Sequence, residues 1–156
     1  MKVFLSYSLN DTELYVLTLL ARRFRESGYT TTSSYNLNSD AINDDTYVQL
    51  TGSSFFLGIM SNNGNHWQRV TDEWALAINF KIPSLLLVEE GVSLYPEYNN
   101  HPNIARFNRN NPQMAIDRVN QKIIESQNIH QSDNSLAWLI GGFAVLGAIA
   151  LLTKDD

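Results

Sequence analysis

The side chains that could carry out covalent chemistry in this chain of 156 residues form a short set. There is no cysteine, which removes a thiolate nucleophile, a disulfide framework and a Cys-based zinc site at once. The three histidines, His66, His101 and His130, lack any ligand spacing, so no metal is expected. What stands out is a carboxylate, Glu73, at the margin of an apolar helix stripe. A carboxylate there can accept hydrogen bonds from hydroxyls and offset a developing positive charge. It can equally be a solvated surface residue, as most helix-margin glutamates are.

The segment from Ser54 to Pro83 positions it. Phe55, Phe56, Leu57, Ile59 and Met60 make an apolar run of strand length, and a polar loop from Ser61 to Trp67 follows. A helix comes next, and Ile82-Pro83 opens another apolar run. On that helix Val70, Trp74, Ala77 and Ile78 fall at i, i+4, i+7 and i+8 and give one buried face. Asp72 projects roughly opposite to it. Glu73 flanks the stripe near the helix start, just beyond the polar loop.

Strand and helix signals alternate along the rest of the chain. Lys2 to Ser6 is a short apolar strand, and a helix from about Thr12 to Ser27 turns Leu14, Leu17, Ala21 and Phe24 inward, with Gly28 as its stop. Tyr29 to Ser33 is a threonine-rich strand, Ser34 to Ile42 a long polar loop, and Asn43 to Leu50 a short helix. Ser84 to Val88 is a continuous apolar run, as a parallel strand covered on both faces should be. Glu89 to Asn103 is irregular, with Glu89 and Glu90 read as plain loop carboxylates. Ile104 to Phe107 is a last short strand, and Pro112 opens a helix.

This alternation predicts an α/β fold with a doubly wound, parallel, five-stranded sheet. Connections leaving helices are tight, whereas those leaving strand ends are long. Ligands of open α/β sheets bind beyond the carboxyl ends of the strands, so the long loops and the start of the Glu73 helix should meet at one cleft. Tyr7 and Ser8 end the first strand and Ser61 ends the third, so these three are expected to line it. Tyr35, Trp67 or Trp74 could stack on a ring there. Trp74 lies on the apolar stripe and reads first as core.

Charge and hydropathy narrow the partners. A net charge of -5 and a pI near 5.1 disfavour nucleic acid, which needs a clustered positive surface. The one close basic cluster, Arg22, Arg23 and Arg25, reads as a solvated helix face. Residues 126–134 form a polar linker, and 135–153 are uncharged and apolar all round, long enough for a single transmembrane helix at ~1.5 Å per residue. That predicts a domain at 1–125 held on the cytoplasmic side of a lipid bilayer by a C-terminal anchor. Ala137, Gly141, Ala144 and Ala148 form a small-residue seam along which two such helices could pack.

The N-terminal KVFLSYS with Asp11 resembles the first signature box of Toll/interleukin-1 receptor (TIR) domains, especially their bacterial branch. IPSLLLVEEGV is similar to a later strand of that family. Ser61 to Pro83 resembles its serine, loop, tryptophan, helix and glutamate pattern, although Trp67 precedes Glu73 by six residues where the family usually has four. Ser8 stands where several NAD-cleaving members carry a basic residue. The resemblance spans about residues 2 to 125 and implies a flavodoxin-like sheet, self-association, and Glu73 as the catalytic group of an NAD nucleosidase, with NAD as substrate and no cofactor. It also implies a role in bacterial anti-phage defence.

One carboxylate suffices for that reaction. The nicotinamide of NAD is a cationic leaving group, so its departure needs little proton donation and passes through an oxocarbenium-like ribose that a carboxylate can stabilise. Two other expectations compete with it. One is a non-enzymatic adaptor whose Ser34–Ile42 loop makes homotypic contacts at a membrane. The other is nucleoside glycosyl transfer through a covalent glutamate on a similar sheet.

Overall fold

The computed structural model describes residues 1–8, 11–35 and 39–130, with 11–15 and 126–130 as backbone only. Five strands, β1 (Lys2–Tyr7), β2 (Thr30–Ser33), β3 (Phe55–Met60), β4 (Ser84–Glu89) and β5 (Ile104–Phe107), form one sheet in the order β2-β1-β3-β4-β5. Every neighbouring pair is parallel. The helices between them are α1 (Asp11–Glu26), α2 (Asp44–Thr51), α3 (Trp67–Asn79) and α4 (Pro112–His130), with a short 3-10 turn at Pro96–Tyr98. This is the doubly wound, flavodoxin-like sheet expected from the alternation, with the topological switch between β1 and β3.

Side chains of a strand alternate between the two faces of the sheet, and here the alternation separates two cores. Val3, Leu5, Phe55, Leu57, Ile59, Leu85 and Leu87 pack with α1 and α4. Phe4, Phe56, Met60, Leu86 and Val88 pack with Leu50 of α2 and with Val70, Trp74 and Ala77 of α3. Trp74 is 1% exposed and belongs to this second core, as the stripe predicts. Ser6 has the parity of Phe4, so its hydroxyl faces the α3 layer. Tyr7 has the parity of Leu5, and its ring packs against the α1 and α4 core.

Gly58 of β3 sits opposite Ser6 of β1. A Cβ there would come within 2.6 Å of Leu86 Cδ1, 3.1 Å of Phe56 Cε1 and 3.4 Å of Val70 Cγ1, so the glycine lets α3 settle close onto the sheet.

Two boundaries differ from the sequence reading in ways that matter. Glu89, expected in a loop, is the last residue of β4 and is 4% exposed. Helix α4 runs on to His130, into the stretch read as polar linker. Among the described residues no helix is long and apolar enough to cross a membrane; the expected span at 135–153 lies outside them.

Candidate functional site

Helix α3 begins after the β3 loop and runs back across the sheet, which brings Glu73 over the carboxyl end of β1. Its carboxylate is fully buried, at 0% exposure. Each oxygen receives a hydroxyl: Ser6 Oγ donates to Oε2 at 2.5 Å and Ser34 Oγ, just past β2, donates to Oε1 at 2.6 Å. One helical turn earlier, Arg69 is itself 1% exposed and places Nε 3.6 Å from Oε1. Burial is the largest influence on the acid and pushes its pKa above the ordinary carboxylate range, against the pull of Ser34, Ser6 and Arg69. Asp72 next to it adds to the upward shift.

Three loops close over this carboxylate. Arg69 Nη2 donates to the backbone oxygen of Tyr7 at 2.6 Å, and Nη1 donates to that of Ser39 at 3.4 Å, which ties the β1 end to the β2–α2 loop. Ser8 Oγ donates to the backbone oxygen of Asn65 in the β3–α3 loop. His66 Nδ1 lies 3.0 Å from Asp40 Oδ1. The glutamate therefore lies under a lid of backbone and hydroxyl groups drawn from each connection that leaves β1, β2 and β3.

The expected site residues divide on this geometry. Ser8 is buried, and its hydroxyl is spent on the backbone oxygen of Asn65. Tyr7 contributes only its backbone oxygen, because its ring is on the other face of the sheet. Tyr35 follows Ser34 but is 63% exposed, and its amide donates to Thr46 Oγ1 at 3.1 Å. Ser61 is buried at the end of β3, where its backbone oxygen accepts from Trp67 Nε1 at 3.1 Å and its Oγ accepts from the Asn63 amide at 3.3 Å. Trp67 is six residues before Glu73, about 120° round the helix, and lines a separate groove of 400 Å³ with Met60, Leu94, Tyr95 and Tyr98. The structure thus brings Glu73 together with Ser6, Ser34 and Arg69; Ser8 bonds the β3–α3 loop instead, Trp67 lines a separate groove and Tyr35 is exposed.

Ser6, Ser34 and Arg69 were not singled out from sequence. Two signals could have found them: the two-residue period of β1, which points Ser6 rather than Tyr7 toward α3, and the i, i+4 spacing of Arg69 and Glu73. A second buried carboxylate lies nearby at the same end of the sheet. Glu89 accepts from Arg109 Nε and, at 2.7 Å each, from Arg109 Nη2 and the Asn62 amide. These bonds hold its pKa below the ordinary range, Arg109 foremost. Glu89 is therefore a pin that fixes the β3–α3 loop to the start of the α4 connection, and not a plain loop carboxylate. Among the described residues no group of three or more His, Asp or Glu side chains could hold a metal ion.

No family model matches the chain, and no curated protein matches it in sequence. Solved structures do match in fold. The chain is similar to a 2-deoxyribosyltransferase from Bacillus psychrosaccharolyticus, with 14% identity and a TM-score of 0.52 over 71% of this chain and 89% of that one. It is also similar to the CMP N-glycosidase BcmB of Clostridium botulinum, with 14% identity and a TM-score of 0.55 over 78% and 99%. The TIR domains of the activated Roq1 resistosome align over 99% of both chains at 14% identity with a TM-score of 0.49. At 14% identity the first two likenesses show the fold alone.

Proposed function

We propose that the chain is an N-glycohydrolase that releases nicotinamide from NAD, with Glu73 as its catalytic carboxylate. The observation that carries this reading is the sealed glutamate whose two oxygens each hold a serine hydroxyl. A ribose offers two adjacent hydroxyls of the same donor type. The Ser34 hydroxyl marks a position that a sugar hydroxyl would take on displacing it. In that dry setting a carboxylate stabilises the cationic sugar far more than it would in water.

NAD is the favoured substrate because its leaving group departs neutral and needs no acid. A neutral nucleobase such as cytosine would require a proton donor beside the base. That a 2-deoxyribosyltransferase and a CMP N-glycosidase share the fold supports nucleoside chemistry on such a sheet. The test is to incubate the full chain with NAD, CMP and a 2′-deoxynucleoside separately and to follow the free base. Nicotinamide alone is expected; base from the other two without nicotinamide would replace NAD as the substrate. The membrane anchor at 135–153, the cytoplasmic side and a defence role belong to the same proposal, and retention in the membrane fraction after alkaline washing tests the anchor.

The adaptor reading has one observation in its favour. Tyr47 and Val48 on α2 and Phe80 after α3 are 43, 62 and 49% exposed, with the Tyr47 and Phe80 rings 5.8 Å apart. Such a patch suits self-association. Oligomers that form and function unchanged with Glu73→Gln would favour this second reading.

A further inference from the structure

Trp67 opens α3 on one side of a hollow, and Tyr95 and Tyr98 border it from the loop after β4. The hollow has a volume of 400 Å³, within the ~300–1,000 Å³ range of small-molecule sites, and the reaction proposed at Glu73 makes no use of it. Its aromatic walls are held in place before any ligand arrives. Trp67 Nε1 donates to the backbone oxygen of Ser61 at 3.1 Å, which fixes the edge of the indole. Tyr95 and Tyr98 are the ends of one tight turn, closed by the Tyr98 amide on the Tyr95 backbone oxygen at 2.9 Å and stiffened by Pro96. Their rings stand at 79° with centroids 6.2 Å apart, and Tyr98 meets the buried Trp74 ring in a T-shape at 5.4 Å. Two rings nearly at right angles, with a third across the gap, make three sides of a box.

The rest of the lining decides what such a box takes. Met60, Leu94 and Pro96 add apolar surface, and none of the described residues lining it is charged. Its polar side chains are Gln68, Thr71 and Ser93. Gln68 Nε2 donates to Asp72 Oδ1 at 2.8 Å; a carboxylate only accepts, so the amide nitrogen must be the end turned to it and the amide oxygen is left over. Thr71 Oγ1 donates to the backbone oxygen of Trp67 at 2.8 Å, so it too keeps only lone pairs. Asp72 behind Gln68, and Glu97 in the Pro96–Tyr98 turn, add negative charge beside the hollow. Arg106, which shares Ser93 and Leu94 with a neighbouring hollow, donates to the backbone oxygens of Glu89 and Val92.

Electron-rich rings and unspent oxygen lone pairs favour a cation. An ammonium with N–H groups fits poorly, because apolar walls cannot replace the hydrogen bonds that it gives up on leaving water. A quaternary ammonium has none to lose. Its methyl groups fill apolar space while its charge is drawn to the ring faces. We propose that the Trp67 groove binds the quaternary ammonium group of a small soluble molecule. This stands apart from the glycohydrolase reading and survives its failure.

Titration of the full chain in a nonionic detergent, followed by the indole N–H signals in NMR, tests this. The chain has three tryptophans, and the signal of Trp67 is the one lost in Trp67→Phe. Choline should move that signal saturably, with a Kd of about 1 mM or tighter. The compound 3,3-dimethyl-1-butanol has the same shape with carbon in place of the charged nitrogen, and it should bind about tenfold more weakly. Ethanolamine keeps the charge but carries N–H groups, and it should also bind about tenfold more weakly. Tyr95 is 59% exposed, so Tyr95→Leu leaves the fold intact, as its thermal melt should show. That variant should weaken choline about fivefold, whereas Tyr95→Phe keeps a ring face and should keep the affinity. An uncharged isostere or an amine that binds as well as choline would overturn the inference, as would unchanged binding by Tyr95→Leu. So would the absence of a saturable shift by about 20 mM choline. A response to phosphatidylcholine vesicles without one to free choline would place the group on a lipid and overturn it equally.

Discussion

Arg69 and Glu73 lie one helical turn apart on α3, both essentially inaccessible to water, with Arg69 Nε 3.6 Å from Glu73 Oε1. The guanidinium also donates to the backbone oxygens of Tyr7 and Ser39, so one side chain neutralises the catalytic candidate and fastens two loops across it. Removing it leaves a buried carboxylate without its cation and two carbonyls without their donor. Arg69→Met should therefore destabilise the fold by ~3–5 kcal/mol, the usual consequence of breaking a buried pair from one side. Urea unfolding of the variant against wild type reads this directly, and a change under 1 kcal/mol, the scale of a surface pair, would show that the ion pair is not buried in solution.

Burial of Glu73 gives stability a particular pH dependence. A raised folded-state pKa means that the native chain binds its proton more tightly than the unfolded chain. Stability from this group is thus present below the unfolded value, about 4.3, and is lost as pH rises through the folded value. Glu73→Gln removes the ionisation and can still bond both serines, whose hydroxyls donate or accept. Glu73→Gln also leaves Arg69 without its anion, so the expected signature is the trend: wild type should lose stability relative to the variant as pH rises from about 4 to 7. Thermal melts at the two pH values check the sign, and a wild type that gains on the variant over that interval contradicts it.

Glu89 has the opposite sign. Arg109 and the Asn62 amide hold its pKa down, so it contributes stability above the unfolded value that is lost as pH falls through the folded one. Arg109 is one-third exposed, which screens the pair. Glu89→Gln should cost about 1–2 kcal/mol at pH 7, with a smaller difference in acid. Chemical denaturation at both pH values measures it.

Gly58 makes a prediction about packing alone. A methyl there meets Leu86, Phe56 and Val70, all in the core beneath α3. Gly58→Ala should destabilise by ~1–3 kcal/mol through overpacking and lift the helix that carries Glu73. A loss of stability together with a loss of nicotinamide release is the expected result.

Much of the frame was legible because its signals are local. The continuous apolar runs of β3 and β4 and the Val70, Trp74, Ala77 stripe each specify their element from neighbouring residues. The long loops after β1, β2 and β3 correctly pointed to one end of the sheet. The partners of Glu73 were less legible because they depend on parity and register across the chain. Ser6 and Ser34 lie 67 and 39 residues from Glu73, and it is the pleat of β1 that turns Ser6 rather than Tyr7 toward α3. Trp67 is expected to stack on a ring in the same cleft, but it lies about 120° round α3 from Glu73 and its ring lines a separate groove. Glu89 looked like a loop residue because its partner, Arg109, is 20 residues on.

The measurement that bears most directly on the whole account is nicotinamide release from NAD by the full, assembled chain, set beside Glu73→Gln protein shown to be folded by its thermal melt. Release by the wild type and a fall of about 10³-fold or more in the variant is the predicted result, given what a preorganised electrostatic group contributes at such a site. Equal release by the two proteins, or none from the wild type, would contradict it.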